Sequence, residues 1–257
     1  VIFSGVEYTP QQLAAMPPAT IDAWRAGEAA AVGPPYLVLG VLMVVIASAI
    51  ALTKYPPLRA AVMPQGQSSP FAVLKKPRVL YAVVAQFFYC GAQVGIWSLL
   101  VDFSGEAANV PERTGATVYL FATMIAFCVG RFSGAWLQRF MIPARQLALY
   151  CACNIVLCCL AATLGGFPSI YALVATSFFM SIMFPTIFAM GLEGLGHETE
   201  FAASFIVMAI SGAAVVPPLM SVIADHTGAL HWSLFFPAVC YLVVLSFAML
   251  APRLKTT

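Results

Sequence analysis

Charge is scarce in this 257-residue chain: 9% of residues are charged and 61% are apolar, whereas an ordinary soluble domain carries roughly 25% charge. No water-soluble fold of this length hides so much apolar surface. A net charge of +2 spread over so few ionisable groups gives no basic face of the kind nucleic acid requires, which excludes that partner. The only histidines, His197, His226 and His231, fall outside the long apolar runs. Solvated surface is their default reading, and His226 beside Asp225 makes only a weak case for pH sensing. No Asp, Glu or Lys stands in the middle of any run; Asp102, Glu193 and Asp225 are all at ends. An intramembrane enzyme needs paired Asp or Ser–His within the runs, so catalysis is not expected. Polar–apolar alternation is also missing, which excludes a membrane β-barrel.

What is present is seven apolar runs, each close to the roughly 17 to 25 residues that cross a bilayer as helix. They are Tyr36–Leu52, Val79–Val101, Gly115–Leu137, Leu147–Leu164, Ile170–Leu192, Phe201–Ala224 and Trp232–Leu250. Arg131 lies inside the third and must sit near an interface or face protein. Cys90, Cys128, Cys151, Cys153, Cys158, Cys159 and Cys240 all fall within these spans and read as small buried apolar residues. Cys151 and Cys158 share a helix face, but no histidine joins them; neither a disulfide, a metal nor another cofactor is expected.

Lys54, Arg59, Lys75, Lys76 and Arg78 crowd into the polar stretch Thr53–Arg78, which separates one span from six. Arg131, Arg139, Arg145, Arg253 and Lys255 fall on the same side by alternation, against Arg25 and Arg113 on the other. The positive-inside bias makes the linker and C-terminus cytoplasmic. The acidic loop from Glu193 to Glu200 is the exception. Expected regions are an extracytoplasmic segment 1–35, the last helix of an N-terminal bundle at 36–52, a linker at 53–78, a six-helix bundle at 79–252 and a tail at 253–257. Because the chain opens on Val1 without a secretory pattern, it reads as a fragment. Thr9-Pro10-Gln11-Gln12 is a possible helix start. Pro56-Pro57 and Pro64 through Pro70 read as an extended connector. Six helices after a connector suit two three-helix repeats.

Polar residues on one face of a spanning helix point to a cavity or a neighbour. Gln86, Gln93 and Trp97 form such a stripe, with amides that suit sugar hydroxyls and an indole that suits a pyranose face. Helix-to-helix bonding by the glutamines is the alternative. Ser177, Ser181 and Pro185 follow at four-residue steps in the fifth span, where the proline should bend the helix. Ser204 and Ser211 read as packing residues beside Gly212, and Pro217-Pro218 should interrupt the sixth span.

The stretch Ala85 to Ser98, the run Gly130-Arg131-Phe132-Ser133-Gly134, the block Met180 to Phe188 and Ser204 to Met208 together resemble the fucose:proton symporter family of the major facilitator superfamily. The resemblance runs from about Tyr8 to the C-terminus. It implies an all-α membrane protein with seven transmembrane helices: the C-terminal six-helix bundle of a major facilitator transporter plus the last helix of its N-terminal bundle. The implied activity is secondary active transport of L-fucose or a related monosaccharide by proton symport and alternating access. The proton carrier is expected in N-terminal helices beyond this chain, and the complete protein is expected to be a monomer in an inner membrane. Gln86, Gln93, Trp97, Ser181 and Phe184 would line the substrate cavity, and Arg131 would brace a cytoplasmic gate. Two positions depart from the family: Phe184 stands where a Tyr is expected and Val118 where an Asn is expected, so the sugar need not be fucose. The alternative class is a heptahelical receptor or retinal protein. The last span has no Lys for a Schiff base and no Asn-Pro-x-x-Tyr signature.

Overall fold

The computed structural model describes residues 15–53 and 70–254. Among them there are helices and no strands, and seven helical segments are long and apolar enough to cross a membrane. The helix start expected at Thr9 and most of the linker lie outside the described residues. The chain divides into two units, Val1–Met63 and Pro64–Thr257.

In the first unit, helix α1 runs Pro18–Leu52, not from Tyr36. A proline occupies its first turn, where a missing N–H costs nothing. The helix then passes through Pro34 and Pro35 instead of starting after them. Its apolar side chains, Leu37, Leu42 and Leu52 among them, are exposed.

The second unit opens with a 3-10 helix, Pro70–Lys75, where an extended connector was expected. Val73 explains it. The residue is buried in a small cluster with Val79, Leu195 and Ala202, and Phe71 packs on Phe205 at 5.6 Å. Burying these apolar groups outweighs the proline-rich chain's preference for an open form. The spanning helices follow: α2 Pro77–Ala108; α3 Leu120–Leu137, preceded by the turns Glu112–Thr114 and Gly115–Tyr119; and α4 Pro143–Thr163. The fifth span is α5 Phe167–Met180 and α6 Met183–Leu192. The sixth is α7 Thr199–Met208 and α8 Gly212–Thr227. Helix α9, Phe235–Leu250, closes the unit after the turn Leu230–Ser233.

Several caps are legible in residue type. Pro77 and Pro143 sit in first turns, and Asn109 and Gly228 end α2 and α8 in the left-handed conformation, as helix ends favour. The sixth span tightens to a 3-10 turn at Ala209–Ser211 and then continues as helix through Pro217 and Pro218. The interruption thus falls before the prolines, beside Gly212, whose Cβ would lie 2.0 Å from the Phe87 carbonyl oxygen. Opposite it, a Cβ on Gly91 would meet Val216 at 2.2 Å. Two backbones touch here with no side chain between them.

Helix α2 is the hub, packing against α5, α6, α8 and α9, while α4 packs against α5 and α9. The acidic loop also finds its explanation in this packing. Buried Arg78 donates to the Met190 carbonyl at 2.8 Å and pairs with Glu193, while Lys76 pairs with Glu198 at 2.6 Å. Glu193 and Glu198 neutralise cations at the start of α2, so they belong at the same end as the basic linker. At the opposite end the Glu106 carboxylate accepts from the Leu230 backbone N–H at 2.8 and 3.0 Å and lies 3.3 Å from His231 Nδ1. His231 is therefore tied to α2, while His226 ends α8 and the His197 side chain lies outside the described residues. All seven cysteines are free, but Cys128 is exposed and Cys153 and Cys159 are partly so, because their helix faces point away from the packed interior.

Gly212→Ala is expected to destabilise the complete membrane protein by about 1–3 kcal/mol, because the new methyl meets backbone that has no rotamer to yield. Gly165→Ala, with nothing within 4 Å, is expected to leave thermal unfolding in detergent unchanged. Equal melting shifts for the two would contradict the close crossing.

Candidate functional site

The fifth span breaks at Ser181-Ile182, between α5 and α6. Pro185 has no N–H to give the carbonyl four residues back, that of Ser181. In hydrocarbon such a carbonyl needs another donor, and Arg131 supplies it: its guanidinium donates to the Ser181 oxygen at 2.9 Å. The neighbouring Met180 carbonyl accepts from the Tyr89 hydroxyl at 2.9 Å. Two helices thus satisfy the break in a third, α3 through Arg131 and α2 through Tyr89.

The remaining contacts close a ring around this point. The Trp97 indole N–H donates to Ser177 Oγ at 3.1 Å, and its ring stands edge-on to Phe127, with centroids 5.3 Å apart. Phe127 lies one turn before Arg131, whose guanidinium carbon is 5.1 Å from its ring centroid, a cation–π distance. Ser177 on α5 lies one turn before Ser181 at the break, and Ser181 Oγ is turned back to the Phe178 carbonyl at 2.7 Å. Phe184 packs edge-on against Tyr89 at 6.5 Å.

Burial sorts the residues singled out in the sequence. Arg131 is exposed, and Gln93, Trp97, Phe127 and Phe184 are half-buried, so these five present surface. Gln86 and Ser181 are fully buried. Gln86 points into the bundle, its amide nitrogen 3.6 Å from Cys90 Sγ; it shares the helical stripe of Gln93 but is covered by neighbouring helices. Val118, in the turn before α3, is exposed. Arg131 sits six residues before the end of α3, roughly 9 Å along its axis, so it bonds to the middle of the fifth span. No carboxylate among the described residues pairs with it. Tyr89 and Phe127 went unnoticed in the sequence. The signal was there, since Tyr89 precedes Gln93 by four residues and Phe127 precedes Arg131 by four, each on a face already marked as polar.

Among the described residues no group of His, Cys, Asp and Glu could hold a metal ion. What the facet offers is an amide, a guanidinium and three aromatic rings beside a helix break.

Helices around such a facet, on a unit opening after a basic connector, define the class: the fold is that of the major facilitator transporters. A crystal structure of the Escherichia coli fucose:proton symporter superposes with a TM-score of 0.76 at 34% identity, covering 97% of this chain and 62% of that one. A second structure of a major facilitator superfamily transporter, FucP, in the outward conformation, also gives 0.76. In sequence, the chain is 34% identical over 264 residues to the L-fucose-proton symporter of Escherichia coli K12, spanning all of this chain and 60% of that protein. It is 33% identical over 229 residues to a putative glucose/galactose transporter of Helicobacter pylori, 88% of this chain and 56% of the relative. No family model matches. The chain is similar to the fucose:proton symporters of the major facilitator superfamily, matches the C-terminal part of these relatives, and spans about 60% of the length of the first of them. These relatives are named as transporters, not enzymes or receptors.

Tyr89→Phe removes the donor to a buried carbonyl and is expected to cost about 1–3 kcal/mol in thermal unfolding of the complete protein. Ser221→Ala, which loses only a long 3.2 Å bond to its own helix, is the control; an equal loss would refute the capping role.

Proposed function

We propose that this chain is the C-terminal part of a sugar:proton symporter working by alternating access. Residues 79–252 form the C-terminal transport bundle, 36–52 the last helix of the N-terminal bundle, 53–78 a cytoplasmic connector, 1–35 an extracytoplasmic segment and 253–257 a cytoplasmic tail. The protein sits as a monomer in an inner membrane. The observation that carries this reading is the facet of Gln93, Trp97, Phe127, Phe184 and Arg131, which leaves hydrogen-bonding and aromatic groups accessible at mid-span in a chain whose relatives are named for fucose, glucose and galactose transport.

In this mechanism Gln93 bonds sugar hydroxyls and Trp97 offers its ring face to the sugar's apolar side, the indole held in place by Ser177. Phe184 supplies contact without a hydroxyl, which favours a sugar less demanding of a donor at that point; a lost hydrogen bond there weighs about 0.5–1.5 kcal/mol. Arg131 holds the broken fifth span through Ser181, and its exposed guanidinium is the positive charge of the site. With no carboxylate in mid-span, the proton is carried by a group in the N-terminal part of the complete transporter. Gln86 and Ser181 stand behind the lining residues.

In proteoliposomes, the complete transporter is expected to accumulate a monosaccharide only under an inward proton gradient, and this chain alone is expected to accumulate none. Uptake indifferent to a protonophore, or uptake by the fragment, would overturn the assignment. Counterflow competition among fucose, galactose and glucose identifies the substrate. Gln93→Ala is expected to weaken sugar affinity about tenfold, the loss of roughly one hydrogen bond, and more than Ser211→Ala does; equal effects or the reverse order would place the cavity elsewhere.

A further inference from the structure

The sixth span is two helices, α7 and α8, joined by the 3-10 turn Ala209–Ser211, and its halves are held in different ways. Helix α8 is seated along α2. Its buried Val216 and Met220 fit against Gly91 and Gly95, where an added Cβ would come 2.2 Å from Val216 and 2.5 Å from Met220. Gly212 sets the start of α8 against the Phe87 backbone. Contacts this close leave that half no room to shift.

Helix α7 has little of this support. Of its ten residues, Ala202 and Ile206 are buried. Ile206 fills the notch left by Gly191 on α6, where a Cβ would meet it at 2.8 Å. Ala202 belongs to the cluster with Val73, Val79 and Leu195, and the Phe205 ring carries that of Phe71. Half of the buried anchorage of α7 therefore involves the turn Pro70–Lys75, which lies outside every span.

An ion pair closes the same seam. Lys76 meets Glu198, the residue just before α7, at 2.6 Å, and both side chains are mostly covered, so water screens the pair less than an exposed one. Two residues on, Arg78 turns to the end of α6 through the Met190 carbonyl and Glu193. The segment is thus fixed to α2 and α6 at its far end and holds α7 with the part before it. A 3-10 stretch within a longer helix is a place where the two halves bend separately, and here the joint falls where the firmly seated half begins.

We propose that Pro70–Lys76 is a strap on α7. It keeps the linker-side half of the sixth span against α6, and its release lets α7 swing about Ala209–Ser211 while α8 stays on α2. Because the strap is the last stretch of the connector, it ties the connector to the movement of the transport bundle. That use of the motion rests on the transporter reading above; the strap itself does not.

Hydrogen–deuterium exchange of the complete transporter in lipid nanodiscs reads the strap, because amide exchange reports local opening. Val73→Ser is expected to speed exchange over Thr199–Met208 severalfold and to leave Gly212–Thr227 unchanged. Lys76→Glu is expected to act in the same direction, and adding Glu198→Lys to restore slow exchange; this pair serves where Val73→Ser does not fold. In uptake measurements the strap variants are expected to change turnover about twofold or more with sugar affinity unaltered. Exchange over α7 as slow as in the unaltered protein would overturn the strap, and so would a rise shared equally by α8, the mark of general loosening. Faster α7 exchange with unchanged turnover would refute its part in transport. Absence of sugar uptake by the unaltered protein would count against the transporter reading, with the exchange rates still deciding the strap.

Discussion

A backbone carbonyl inside hydrocarbon has no water to fall back on, and the architecture around the fifth span follows from that constraint. Pro185 removes one donor and the break between α5 and α6 removes another. The two orphaned oxygens, Ser181 and Met180, are met by Arg131 and Tyr89. Each donor comes from a different helix, so the break is stable only while α2, α3 and α5 are in register. This also explains how an arginine is tolerated so far inside a span. Its charge is met by the Ser181 carbonyl and the face of Phe127, and Phe127 in turn packs on Trp97.

Elsewhere the bundle is held by absence of bulk. Gly212 against Phe87 and Gly130 against the Phe178 carbonyl, where a Cβ would come within 2.2 Å, let helices approach until backbone meets backbone. In lipid, where apolar burial gives little net drive between helices, such close packing is the main attraction left. Among the described residues, ion pairs add to it at the helix ends, as in Arg78 with Glu193 and Lys76 with Glu198.

Composition and run length were enough to read the seven spans, because the bilayer imposes one length and one chemistry on all of them. Helix ends were less legible: α1 begins at Pro18 and α2 extends to Ala108, since polar and small residues continue a helix once tertiary contacts or a first-turn proline allow it. In the site, periodicity placed Gln86, Gln93 and Trp97 on one stripe, yet a stripe does not reveal where a neighbouring helix covers it. Gln86 is covered and Gln93 is not. Nor does a one-dimensional pattern show that Arg131 and Pro185, distant in sequence, answer the same carbonyl. The acidic loop at Glu193 looked like an exception to the charge bias until its partners were visible.

The first and last helices of the six-helix unit lie side by side, joined by Tyr81 with Ser246 near one end and by Glu106 with Leu230 at the other. Chain order is therefore incidental to how this bundle closes. A circularly permuted gene that fuses the segment after α9 to the start of α2 and opens a loop elsewhere would keep these two helices side by side.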